Sequence, residues 1–470
     1  MMLLGIVFSA VFLTILGGLS SFILTENRLQ DLKRAQSEAL AVAEGGLEYY
    51  RWYLAHNPGD LTHGTGEAGP YDIEIPDPEG GIAGTASLSI GGNVSCGITT
   101  SIDIASTGTS ARDASASRTV VGRYALPTVA QFSYVLNSSV WAGGDRIING
   151  PYHSNGGVRM DGTANAPVTS SQATWNCTTG FGCNPGQPTA PGVVGNGPNQ
   201  DLWSYPVPQV NFEAIAADFS DLQTLAETEG IFLGRYSSGN GGVAYHKGYH
   251  LIFNGDGTVT VQRVTNEYVM QSVPISNPSA GLVDDYTRIR NESAYDTYQI
   301  PADCPLIFVE DHTWIEGSVN GKVVVVAADV DHTGVAPYVI VPNNITYTAY
   351  DGSAGLTVIA EDDVLIGPTS PQDMTLNGIF IAQGGAFGRN LYTCSYPSYD
   401  DKGTLTILGT TVSNLRTGTK WTYSGYGCGS NRTSGYQTRI DAFDRRLVSD
   451  PPPFTPAVSP GYEFVEWREE

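Results

Sequence analysis

The sequence predicts a mainly β chain that begins with one long α-helix and continues into a small antiparallel sheet and then a right-handed β-helix. Three observations carry this. Met1 to Thr25 holds no charged residue and runs without a break into Glu26–Leu54, where charges alternate with small and apolar side chains. Between Asp60 and Pro127, β-type runs alternate with turn clusters. From Phe132 onward, many short strands end in Asn-Gly, Asp-Gly or Gly-Gly, too short for each hairpin to hold a core of its own. Stacked rungs about 4.8 Å apart solve that problem, because each rung covers the next. A β-sandwich is the alternative for this last region.

The first element is read from hydropathy. About 25 uncharged residues rising 1.5 Å each span roughly 37 Å, enough for a hydrocarbon core of about 30 Å. Leu3, Leu4, Val7, Phe8, Val11, Phe12, Ile15, Leu16, Leu19, Phe22 and Ile23 supply the bulk of this span. A cleaved secretory signal needs basic residues ahead of a shorter apolar core. No Lys or Arg precedes this run, and helical sequence follows at once, so a retained membrane span is expected. Leu29, Leu32, Gln36, Ala39, Leu40, Ala43, Leu47, Tyr50 and Leu54 then recur at spacings of three and four, which predicts one apolar stripe. His56-Asn-Pro-Gly59 stops the helix, since proline lacks a donor and glycine takes the left-handed cap.

The segment Glu38-Ala-Leu-Ala-Val-Ala-Glu-Gly-Gly-Leu-Glu-Tyr-Tyr50, following an apolar helix, resembles the start of type IV pilus minor pilins and related pseudopilins. The resemblance covers about the first 55 residues. It implies a helix spine laid across a β-meander, partners that are other pilin-like subunits, membrane residence before assembly, and a place at the cell surface or pilus tip afterwards. It also implies a glutamate at the fifth mature position, which neutralises a neighbour's terminal amine. Here the candidates are Gly5 or Ala10, and the first acid is Glu26, so a tip position is expected.

Composition narrows the class. The chain has 470 residues, 56 of them glycine, with only 15% charged, as a β-rich exterior protein with tight turns would have. Its charge of −23 argues against nucleic acid and anionic membrane surfaces as partners. Six cysteines suggest disulfides in an oxidising compartment. Cys177 and Cys183 bracket a short loop, Cys394 and Cys428 flank the last β repeat, and Cys96 and Cys304 stay unassigned.

Within residues 56–127, Tyr71–Ile75, Thr85–Ile90, Ser101–Ser106 and Arg118–Leu126 show period-two patterning, with Gly80-Gly81 and Gly91-Gly92 as turns. Residues 128–450 form the β-helical passenger, with strands such as Leu306–Glu310, Lys322–Ala328, Leu356–Ala360 and Leu376–Ala382. The text from Ile307 to Gly321 resembles rung segments of large pilus-associated proteins. An insert at about 172–300 reads as loop from Cys177 to Pro208, then a helix capped by Asn211 and running to about Glu227, then a hairpin at Asn254-Gly-Asp-Gly257, together making a lid on the solenoid flank. Asp450-Pro-Pro-Pro-Phe-Thr-Pro456 is expected to end the fold, and residues 451–470 form a proline-rich tail in which Tyr462–Trp467 adds an edge strand.

No catalytic set is recognised, and the chain is expected not to be an enzyme. His246 and His250 are four apart, but Gly248 and flanking aromatics point to a strand and not to a metal-binding helix. Asp284-Asp285, Glu361-Asp362-Asp363 and Asp400-Asp401 read as turn formers and solubilising charges. Asp256, Asp329, Asp331 and Asp351 are calcium candidates in acidic loops, none with a twelve-residue ligand pattern, so no cofactor is expected. The functional expectation is a minor pilin or pseudopilin-like subunit displaying a passenger that contacts a surface glycan or protein. A membrane-anchored β-helix that binds or cleaves polysaccharide is the alternative.

Overall fold

A computed structural model describes residues 2–236, 247–330, 334 and 336–470, and all their side chains except those of 2–4, 214 and 215. The chain divides into two compact units. Residues 1–93, 99–126 and 462–470 form the first, and residues 94–98 and 127–461 the second.

In the first unit, helix α1 (Met2–His56) ends where Gly59 takes a positive φ of 77°. Its second half lies on an antiparallel sheet of β1 (Tyr71–Pro76), β2 (Ile82–Ser95), β3 (Ile98–Ser110), β4 (Ser117–Ala125) and a closing strand, Glu463–Glu469, which pairs with β4. Ala43, Leu47, Tyr50 and Leu54 bury against Leu88, Ile104 and Val120. Small residues set the approach. A Cβ added at Gly46 would stand 2.7 Å from that of Ala86, and one at Gly108 would collide with the Ala39 carbonyl oxygen. The covered stripe is shorter than its periodicity predicts. Ala35 is the first buried position, while Leu29 and Leu32 are 53% and 39% exposed because the sheet does not reach them. Gly91-Gly92 lies inside β2 and makes no turn. The long β2–β3 hairpin continues past it, with Thr100 Oγ1 donating to the Asn93 carbonyl, so pairing overrides the glycines.

The second unit is built on parallel ladders. Leu306–Val309 pairs with Lys322–Ala327, which pairs in turn with Gly355–Ala360, Met374–Ala382, Asp401–Ser413 and Arg432–Ala442. The ladder then passes to Arg146–Asn149 and Thr163–Ala164, so the block that comes first in sequence stacks on the strand that comes last. A second ladder runs through Gly248–Asn254, His312–Val319, Val339–Val341, Val364–Ile366 and Phe387–Gly388. Strands such as Gly355–Ala360 are buried at every position, as parallel strands covered on both faces require. Ile307, Val325, Val358 and Phe380 fill one side, and Phe308, Val326, Ile359 and Ile381 the other.

Several elements of the insert differ from their sequence reading. The stretch from Cys177 to Pro208 holds strands, because Val193–Val194 and Trp203–Ser204 extend the stack on Val158–Arg159 and Val168–Thr169. The helix from Asn211 is broken. Asn211 Oδ1 accepts from the Glu213 amide, but the helix it starts is a single turn, Phe212–Ile215. Gln383 Oε1 then takes the Ala217 amide, and Asp218 restarts the helix as Phe219–Thr228 by accepting from the Ser220 and Asp221 amides. That helix covers the strands with Leu222 and Ala226. The hairpin at Asn254–Gly257 forms, but its first strand is a rung of the second ladder and not part of a lid. The proline-rich stretch does not end the unit either, since the Val129 amide donates to the Pro456 carbonyl.

Disulfides join Cys177 to Cys183, Cys394 to Cys428 and Cys96 to Cys304. The third closes 208 residues of sequence and holds Val94–Ile98 in the second unit.

Candidate functional site

The most unusual surface of the first unit is the bare half of α1. Val7, Phe8, Val11, Phe12, Ile15, Leu16, Leu19, Phe22 and Ile23 are each 44–70% exposed and share one half of the helix, and Ile6, Leu13 and Leu24, each 62–67% exposed, lie on the other, so the bare surface goes all the way round. Leu3 and Leu4 have side chains outside the described set. The helix is long and apolar enough to cross a membrane. An apolar circumference on one helix needs lipid or other helices around it, since water would leave every side chain hydrated.

Where α1 meets the sheet, the resemblance segment acquires a physical role. Glu38 accepts from Ser110 Oγ at 2.6 Å and from Arg112 Nε at 2.8 Å, which pins the helix to the β3–β4 turn. The Ser110 hydroxyl, and then Arg112, hold the Glu38 carboxyl below its usual range. At the other end, the Tyr50 and Tyr53 hydroxyls donate to the Asp60 carbonyl and carboxylate. Gly45-Gly46 lies between these two clamps. Glu38 and the glycines are legible through the motif, whereas Ser110 at the end of β3 and Arg112 and Asp60 in turns are polar residues with no pattern of their own.

The acids of the second unit are arranged differently from their sequence reading. Asp284, Asp285, Asp362 and Asp363 line one cleft of about 460 Å³, together with Tyr286, Asn390 and a stacked pair, His312 and Tyr338, whose rings are 3.6 Å apart. Asp285 and Asp363 are buried and so are not solubilising charges. Asp285 accepts from Ser272 Oγ, the Thr287 amide, Asn390 Nδ2 and Tyr392 OH, and Asp363 accepts from the Ala386 amide and Ser276 Oγ. Burial raises the Asp362 carboxyl, and the neighbouring Asp363 and Glu361 charges raise it further. Asp400 and Asp401 lie outside this group. Asp400 is buried near Arg432, and Asp401 accepts from Gln437.

His250 sits between two carboxylates that sequence spacing could not pair with it. Its Nδ1 is 2.6 Å from Glu292 and its Nε2 3.5 Å from Glu316. Burial opposes the charged ring, but the hydrogen bond to Glu292 and the charges of Glu292 and Glu316 outweigh it and push the imidazole up to about 9. His246 lies outside the described residues. Of the calcium candidates, Asp256 and Asp351 accept from Thr258 and Ser353 within their own turns, Asp329 pairs with Arg235, and Asp331 lies outside the described residues. Among the described residues, no group of three or more His, Cys, Asp or Glu is placed to hold a metal.

A buried ion pair marks the join between the first and last blocks of the stack. Arg146 Nε is 2.6 Å from Asp441, whose other oxygen accepts from Tyr134 OH at 3.0 Å. Breaking such a pair strands a charge in the interior, typically at a cost of about 3–5 kcal/mol.

No protein-family model matches the chain, and no curated protein matches it. Among solved structures it is similar to the crystal structure of the competence-associated pilin ComZ from Thermus thermophilus. Identity is 12%, coverage is 93% of this chain and 97% of that one, and the TM-score is 0.30.

Proposed function

We propose that the protein is a minor pilin or pseudopilin-like subunit of a type IV pilus-like filament, carrying a surface-contact domain and catalysing no reaction. One observation carries the reading. A single helix leaves its uncharged half bare on all sides and lays its other half on an antiparallel sheet through Ala39, Ala43 and Gly46. Such a helix sits in lipid as a monomer and among like helices after assembly, with the sheet-bearing end exported. The second unit is then the displayed domain. Its in-register parallel ladders support a right-handed β-helix over a sandwich of antiparallel sheets.

Charge and bulk support a tip position. Residues 1–25 hold no acid, so this apolar part of α1 offers no carboxylate to a neighbour's ammonium in lipid, where an unpaired charge is costly. A displayed domain of several hundred residues would also crowd a shaft of closely packed helices. Immunogold labelling of the second unit on isolated filaments tests both parts. One particle at filament ends is the expected image; label along the shaft removes the tip assignment, and label absent from filaments but present on membranes removes the pilin reading.

A further inference from the structure

The displayed unit carries a cationic aromatic surface in an otherwise acidic chain. Strand Thr258–Ser272 pairs antiparallel with Val283–Gln299, which sets Tyr268 opposite Arg288. The Arg288 guanidinium lies 4.0 Å from the centre of the Tyr268 ring, and that of Arg290 lies 5.3 Å from the same ring. Arg288 also stands 5.4 Å from the Tyr399 ring. Farther along the hairpin, the Arg263 guanidinium is 4.0 Å from the Tyr295 ring. Tyr268 and Tyr295 are about 40% exposed. None of these three arginines makes an ion pair among the described residues, although the chain has 47 acids to 24 bases. None of the five acids on these two strands forms an ion pair with these arginines: Asp284 accepts from Gln271, Asp285 from Ser272 and Asp296 from the Thr297 amide, Glu292 lies against His250, and Glu267 is buried. Two guanidiniums over one ring repel each other, and no carboxylate among the described residues relieves them.

We propose that this hairpin face, with Arg288, Arg290 and Tyr268 at its centre, binds an acidic polysaccharide. Guanidiniums meet carboxylates in a planar fork, and exposed tyrosine rings stack on the apolar faces of sugars. A polynucleotide fits less well. Duplex DNA brings one charge about every 1.7 Å of its axis, against a net charge of −23 and few cations. A uronic acid polymer carries one carboxylate per sugar and tolerates sparse cations.

The inference rests on the reading of the second unit as a displayed contact domain. The full chain in detergent micelles is titrated with polygalacturonate, with neutral dextran and with duplex DNA, at low and high salt. Polygalacturonate should bind, dextran should not, and affinity should fall with salt. The double variant Arg288→Gln, Arg290→Gln should bind at least tenfold more weakly, and Tyr268→Ala should also lose affinity. Arg445→Gln, which removes one positive charge outside the hairpin, should bind as the unmodified chain does. Circular dichroism confirms folding, and if the double variant unfolds, Tyr268→Ala decides. No polygalacturonate binding, equal binding to dextran, tighter binding to DNA, or an equal loss in the control overturns the proposal. Incorporation of the double variant into filaments is scored separately, so loss of glycan binding with normal incorporation leaves the pilin reading standing.

Discussion

The two units hide apolar surface by opposite means. In the second unit, each strand covers the one before it, and Val323, Val325, Val358 and Phe380 close a core wholly inside the unit. In the first, five strands cover only the part of α1 beyond Ala35, and the remainder stands bare. Repetition makes a unit self-sufficient, whereas a helix longer than its sheet makes a unit that must be completed from outside. The apolar residues of the two units are similar in kind. What differs is whether the chain supplies their cover.

The comparison can be broken at either end. The largest effect is expected from Phe380→Ala, which empties a fully buried site in the stack. It should destabilise the second unit by about 3–5 kcal/mol, seen as a lower unfolding temperature by circular dichroism, while membrane retention is unchanged. Loss of retention in that variant would show that the units are not independent in this sense.

Leu13→Arg is the converse test. Leu13 is 67% exposed, so nothing in the protein's own core depends on it. A charge in mid-span costs roughly 2.5–3.5 kcal/mol on insertion scales. Membrane fractionation should show loss of retention, with the disulfides and thermal unfolding of the second unit intact. Normal membrane retention of this variant would mean that lipid is not what covers the helix.

A smaller effect sharpens the account of the second unit. The His250 imidazole is raised from 6.5 to about 9 in the folded chain. Its stabilisation is therefore fully present below about pH 6.5 and lost as pH rises through about 9. The contribution is of order 3 kcal/mol, since each tenfold gain in proton affinity is worth about 1.4 kcal/mol. Thermal unfolding between pH 6 and 10 should show this decline in the unmodified chain and much less of it in His250→Gln. An identical decline in both would remove His250 as its source.

The smallest effect concerns the first unit. Glu38→Gln removes the charge that holds the β3–β4 turn through Ser110 and Arg112. Arg112 is largely exposed, so the loss should be about 0.2–1 kcal/mol. Because the Glu38 carboxyl is held low, the difference between variant and unmodified chain should shrink as pH falls through that carboxyl's titration. Amide hydrogen exchange at the β3–β4 turn reads it directly; a difference that persists in acid would exclude the charge as its cause.

The sequence by itself determined the helix, its end at His56, the uncharged span and the presence of many short strands. These are local properties, set by hydropathy, periodicity and turn residues within a few positions of one another. The motif Glu38–Tyr50 could be read for the same reason. Tertiary structure alone decided the rest. That Leu29 and Leu32 stay exposed depends on where a sheet built from residues 71–125 stops. That Cys96 pairs with Cys304, that His250 meets Glu292 and Glu316, and that the Arg146–Asp441 pair joins the first block to the last depends on contacts across tens to hundreds of residues. No periodicity records such contacts, because a parallel ladder fixes which strands are neighbours only after the chain has turned back on itself.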